Sequence, residues 1–155
     1  MMLDMHLKDI NTLEQSVINT FPPEAKHNFK YYIRRVRTIK PKKSVGFEGK
    51  IYLLVDRRVY SSAESFAAFC KTSKWATLIG KRTGGDGIGI DPILCSLPNS
   101  GFVIRFTGEM GLNSDGSANE ETQTEPDISV SPVRIELENY RYDEAVQEVL
   151  KHINK

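Results

Sequence analysis

The stretch Ile51-Tyr52-Leu53-Leu54-Val55-Asp56-Arg57-Arg58-Val59-Tyr60-Ser61-Ser62-Ala63-Glu64-Ser65 decides how this chain is read. Its first five residues are apolar with no polar alternation, the composition of a strand buried on both faces. Gly49 and Lys50 precede the run, and Asp56-Arg57-Arg58 close it. After Tyr60 the period changes. Phe66, Ala67, Phe69 and Cys70 fall at helical spacing, which predicts a helix from Ser61 or Ser62 to about Ser73. A serine where a buried strand gives way to a helix has two features useful for nucleophilic catalysis. The free N–H groups of the first helical turn point at it, and the helix dipole favours negative charge there. The same residues also spell a capping box, in which Ser61 accepts from the N3 amide and Glu64 reaches back to the cap. The local pattern leaves both readings open.

Composition narrows the classes. The 155 residues suit one domain, or most of one, and 39% apolar with 26% charged residues describes a soluble globular protein. No apolar run approaches the roughly 18–20 residues of a membrane span. Met1 to Asn11 lack the apolar core of a signal peptide, so the compartment stays open. A net charge of +1 gives no global field to recruit an anionic polymer. Cys70 on the inner side of the helix and Cys95 in an apolar run read as two buried thiols. His6, His27 and His152 have no metal-ligand spacing, and no metal or organic cofactor is expected.

Elsewhere, Leu7, Ile10, Leu13, Val17 and Ile18 form one stripe, predicting an amphipathic helix over residues 4 to 20. A second helix is expected from Glu24 to Arg37, rich in cations interleaved with Phe29, Tyr31 and Tyr32. A nucleic-acid groove can look like this, but no binding motif accompanies it, and a solvated basic face is the preferred reading. Ala76–Ile79 reads as a short buried strand, completing a β-α-β unit with a right-handed crossover. The glycine-rich loop Gly80 to Gly89 lacks the lysine-ending signature of a phosphate cradle. Its glycines suit tight turns and close backbone approach. Ile93–Leu97 and Phe102–Thr107 flank a hairpin turn, Gly108 to Thr124 is polar and irregular, and Ile128–Val133 is a short apolar stretch. A last amphipathic helix begins near Tyr142 to Glu144.

Taken together, residues 49 to about 130 resemble the C-terminal processing (tail-specific) serine peptidases and their tricorn-core relatives. Three motifs carry the resemblance, in order. The family opens a helix after a buried strand with Ser-Ala-Ser-Glu or Ser-Ala-Ala-Glu, matched by Ser61-Ser62-Ala63-Glu64. It continues with an apolar strand and Gly-Glu-x-Thr-x-Gly, matched by Gly80-Lys81-Arg82-Thr83-Gly84-Gly85. It ends with Asp-Gly-x-x-x-Glu-Gly and then Pro-Asp, matched by Asp115-Gly116, Glu120 and Pro126-Asp127. The resemblance implies an α/β fold, a crotonase- and Clp-peptidase-like spiral of β-β-α units of which this chain is a part. It makes Ser61 the nucleophile, with Ser62 as the fallback in register and its amide as an oxyanion donor. Gly84, Gly85 and Asp86 fall on the substrate side, and the substrate is a peptide or protein.

Two departures qualify this. At the spacing of the family's dyad lysine stands Asp86, and a carboxylate cannot replace a lysine base because its charge and hydrogen-bonding roles are reversed. The loop is closer to the tricorn-like branch, whose base is an upstream histidine supported by a glutamate corresponding to Glu120. The upstream Asp-x-Arg-x-Asn-x-Gly-Gly strand end, source of a second oxyanion donor, has no match in residues 1 to 48. The expectation is therefore a helical segment, 1–48, packing on residues 49–155, the C-terminal part of a longer peptidase domain, inactive by itself. The alternative is a non-catalytic peptidase-like module for peptide binding or assembly. An acyl-CoA enzyme of crotonase type lacks the Gly-Gly that would form its oxyanion hole.

Overall fold

The computed structural model describes residues 7–34, 40, 43–86, 88–89, 91–131 and 141–153. The chain forms two compact units, Met1–Lys50 and Ile51–Lys155.

In the first unit the expected helix over residues 4 to 20 is replaced by shorter pieces; residues 1–6 lie outside the described residues. Strand β1 (Lys8–Asp9) leads into a 3-10 turn, Ile10–Thr12, and only Gln15–Thr20 is α-helical (α1). The cause is local. The Asp9 carboxylate accepts from the Asn11 N–H at 2.9 Å, and the Thr12 hydroxyl donates to the Asp9 carbonyl at 2.7 Å. Short polar side chains thus offer the backbone a turn in place of a helix. The basic helix expected from Glu24 to Arg37 also shortens. Pro23 starts α2 (Pro23–Asn28), and Tyr31–Tyr32 form β2, paired antiparallel with β1. Proline suits the first helical turn, and paired tyrosines suit a strand. Arg35 and Arg37 lie outside the described residues.

The second unit follows the sequence more closely. Strand β3 (Tyr52–Val55) runs parallel to β4 (Thr77–Gly80), with Tyr52 opposite Thr77 and Val55 opposite Gly80. Helix α3 (Ser62–Ser73) connects them. Strand β7 (Ile128–Ser129) adds on the far side of β4, so the sheet order is β3-β4-β7. Position in the sheet explains burial. Central β4 has Leu78 and Ile79 fully buried, whereas Leu54 of β3 is 43% exposed, so the strand expected to be covered on both faces is an edge. Ala67 and Cys70 turn the inner face of α3 onto Val55, Ala76 and Leu78. Gly80 is obligatory: at φ +139° a Cβ there would sit 1.9 Å from the Val55 carbonyl oxygen.

Strands β5 (Ile93–Ser96) and β6 (Val103–Phe106) form the expected antiparallel hairpin. Both of its strands are exposed, so Cys95 is an exposed thiol and not the buried one its apolar neighbours suggested. A short helix α4 (Asn119–Thr122) interrupts the region expected to be irregular. Helix α5 (Glu144–Ile153) closes the unit and packs on β3 and β4. The Asp143 carboxylate caps it, accepting from the amides of Ala145 and Val146.

Pro126-Asp127 is a clamp between layers. One Asp127 oxygen accepts from Lys71 Nζ at 2.6 Å and lies 3.7 Å from Lys74 Nζ; the other accepts from the Leu78 N–H at 2.9 Å. The C-terminal end of α3 is thereby tied to β4 and to the entry of β7. Partial burial pushes the Asp127 carboxyl up, but the bonds from Lys71 and Leu78 and the two ammonium charges outweigh it and hold the group below its usual value. A carboxylate depressed in the fold adds stability above its unfolded pKa, near ~4, and loses it as pH falls through the lower folded value. Replacing Asp127→Asn should therefore cost about 1–2 kcal/mol at neutral pH and shrink the difference between variant and parent in acid. Thermal unfolding from pH 7 down to pH 2 checks both.

Candidate active site

Ser61 sits between β3 and α3 with φ 56° and ψ −131°, a positive-φ conformation in a residue that is not glycine. This is a sharp strand-to-helix turn of the kind that presents a nucleophile at its crest. The residue is exposed, and its side chain makes no capping hydrogen bond. The capping-box reading fails in both halves, because Glu64 turns into the interior instead of back to the cap. Two of the four first-turn amides are used: Glu64 N–H donates to the Tyr60 carbonyl at 3.4 Å and Ser65 N–H to the Ser61 carbonyl at 3.0 Å. Those of Ser62 and Ala63 have no acceptor earlier in the helix, which is the general condition of a helix start. A negative oxygen next to Ser61 Oγ would meet the Ser62 N–H at the positive end of a twelve-residue helix.

The turn is held from the glycine-rich loop. Tyr60 pairs with Gly85 in a parallel bridge, and Ser61 N–H donates to the Asp86 carbonyl at 3.1 Å. Gly84 N–H donates to the Val59 carbonyl at 2.7 Å, and a Cβ on Gly84 would sit 2.7 Å from the Arg57 carbonyl oxygen. Close backbone approach, the role read for these glycines, is what they provide. Asp86 is exposed and touches the site through its carbonyl; its carboxylate accepts no loop amide among the described residues. Of Gly84, Gly85 and Asp86, the aspartate is exposed, Gly84 is half-buried and Gly85 is buried.

The third motif arrives through the interior. Glu64 is fully buried, and its Oε1 accepts from Thr124 Oγ1 at 2.6 Å and Asn119 Nδ2 at 2.9 Å. Thr124 N–H donates to Thr83 Oγ1 at 2.8 Å, and Thr83 N–H donates to the Thr124 carbonyl at 3.1 Å. Asn119 reaches on to Asn113 Oδ1 at 3.1 Å. Glu64 Oε2 and Asn119 Oδ1 are buried with no partner among the described residues. Before α4, Asp115 accepts from the Ser117 hydroxyl and N–H, and these bonds hold its carboxyl below the usual range against slight burial. Glu120, in the first turn of α4, lies beside the loop: its Cα would be 3.4 Å from a Cβ on Gly85, the partner of Tyr60. Glu120 is exposed. Glu64, Asn119, Thr83 and Thr124 were not singled out from the sequence as a group, since burial was the missing signal.

No described histidine of the second unit stands beside Ser61. Helix α5 begins near Leu54, Val55 and Asp56, and the ring of His152 near its other end lies 6.3 Å from that of Tyr52 in a tilted pair, so it lies at the opposite end of β3. His27 belongs to the first unit, and His6 lies outside the described residues. The strained turn makes its own prediction. Glycine adopts positive φ freely, whereas alanine inherits the strain, so Ser61→Gly should be more stable than Ser61→Ala by about 1 kcal/mol. Equal unfolding midpoints in urea for the two variants would contradict the turn geometry.

Residues 11–130 match the model of Peptidase family S41. Solved structures similar to this chain include mature CPAF complexed with lactacystin, at 25% identity and TM-score 0.55 over 73% of this chain and 21% of that one. A putative peptidase from Parabacteroides merdae matches at 22% identity and TM-score 0.54, over 79% of this chain and 35% of that one. The tricorn protease matches at 19% identity and TM-score 0.53, over 77% of this chain and 12% of that one. The chain thus spans about a third or less of the length of these structures, and no curated protein matches it. The first motif, the glycine-rich loop and the Asp-Gly to Pro-Asp segment all fall inside the matched range, and the chain belongs to peptidase family S41.

Proposed function

We propose that the chain carries the nucleophile-bearing part of a serine peptidase that hydrolyses peptide bonds, with Ser61 as the attacking residue. The observation that carries this is the Ser61 turn: exposed, free of a capping bond, in a positive-φ conformation at the start of α3. Ser61 Oγ adds to the scissile carbonyl while its proton passes to a base. The tetrahedral oxyanion takes a hydrogen bond from the Ser62 N–H. Collapse expels the amine, which takes a proton from the base, and water then cleaves the acyl-serine. Glu120 supports that base in this reading, as its counterpart does in the tricorn-like branch. The base itself is not supplied by the described part of the second unit. The assignment of a spiral of β-β-α units and the place of Asp86 at the substrate side belong to the same proposal.

The position of Asp86 where a dyad lysine would stand favours a second reading, a peptidase-like module that binds peptides without cutting them. One experiment separates the two. Fluorophosphonate labelling and peptide mapping are applied to this chain and to the longest polypeptide that contains it. The expected adduct is on Ser61, disappears in Ser61→Ala and persists in Ser62→Ala. Without a base the chain alone should turn over a denatured protein at least about 10⁴-fold more slowly than a complete enzyme. Refusal of the label by every form supports the binding module.

A further inference from the structure

We propose that Glu64 is a positioning residue, whose buried carboxylate holds the turn bearing Glu120 and the glycine-rich loop in register with the Ser61 turn. The proposal rests on the peptidase reading for its functional meaning, but its structural content stands separately. Glu64 lies three residues after Ser61 on the rigid first turn of α3, with none of its surface exposed. Its two donors are Asn119 Nδ2, from the first residue of α4, and Thr124 Oγ1, two residues past its end, and both come from more than fifty residues further along the chain. Thr124 passes the restraint to Thr83 through three bonds, and Thr83 immediately precedes Gly84-Gly85-Asp86. Gly85 and Asp86 in turn hold Tyr60 and Ser61. A closed circuit results: Ser61 turn, Glu64, Thr124, Thr83, Gly85-Asp86 and back to the Ser61 turn.

A helix-start glutamate that merely filled space would not need this circuit. Both donors are uncharged, so the carboxylate gains no ion pair from them. Every bond it makes leads to a loop that carries a candidate site residue. Those loops are held largely by buried polar side chains, Thr83, Asn119 and Thr124, with Ala118 the buried apolar residue beside them. Removing the acceptor at position 64 leaves buried donors unsatisfied, and the segments most free to respond are the two loops.

The test is amide hydrogen exchange on the full chain, with Ser61 labelling read on the same variants made in the longest polypeptide that contains it. Glu64→Gln keeps an acceptor oxygen and should hold exchange in Thr83–Asp86 and Asn119–Thr124 within about threefold of the parent. Glu64→Leu removes the acceptor at similar size and should speed exchange there by about tenfold or more, relative to the amides of Leu78 and Ile79 in β4. Should Glu64→Leu fail to fold, Thr124→Val decides: it deletes the 2.6 Å bond alone and should loosen the same two segments. Parallel acceleration of loops and β4, or no acceleration of the loops, overturns the proposal. In labelled protein the adduct should form more slowly in Glu64→Leu and at the parental rate in Glu64→Gln. If even the longest polypeptide that contains the chain refuses the label, the peptidase reading fails while the exchange pattern still decides the positioning role.

Discussion

The carboxyl group of Glu64 is the point at which three stretches far apart in sequence are hydrogen-bonded together. It projects inward from the first turn of α3 and accepts hydrogen bonds from Asn119 and Thr124, which frame the turn carrying Glu120. Through Thr124 it reaches Thr83 and the loop whose Gly85 and Asp86 grip the Ser61 turn. A carboxyl group taken out of water is costly unless it is hydrogen-bonded, and here Oε1 takes both bonds while Oε2 is buried with no partner among the described residues. The apolar side is modest by comparison. Ala67, Cys70, Val55, Ala76 and Leu78 make a compact contact between one helix and two strands.

The strain at Ser61 has meaning in the same frame. A positive φ in serine costs on the order of 1–3 kcal/mol and persists only where the surroundings hold it. Here the restraints are the bridge between Tyr60 and Gly85, the bond from Ser61 N–H to the Asp86 carbonyl, and the rigid helix that follows. The glycine-rich loop thus has a structural part in holding the turn. It is a brace, and its glycines exist because Arg57 and Val59 carbonyls pass too near for any side chain at Gly84. Asp86 stands in that brace and contributes its backbone carbonyl to the Ser61 N–H.

Membership of family S41 rests on a match across residues 11–130, which extends upstream of the stretch where the motifs were recognised. The first unit was the harder to read. Its apolar stripe at Leu7, Ile10 and Leu13 suggested a long helix, but Asp9 and Thr12 bind the backbone locally and turn the chain instead. The hairpin was recognised from its turn residues, yet the exposure of Cys95 was not, since local composition does not say whether a hairpin is covered. Likewise the run Ile51–Val55 gave its strand correctly but not its place at the sheet edge.

By itself the sequence determined the alternation of strand and helix in the second unit, the start of α3 at the serine pair, and the family. These are properties of local period and of motifs, which need no knowledge of what lies across the core. Tertiary structure alone decided that Glu64 abandons the cap for the interior, that Ser61 is held at positive φ, and that Glu120 comes to rest beside Gly85. Each of these depends on partners some twenty to sixty residues away in the chain. A hydrogen bond chosen between a local and a distant donor is settled by burial, and burial exists only once the chain has closed on itself.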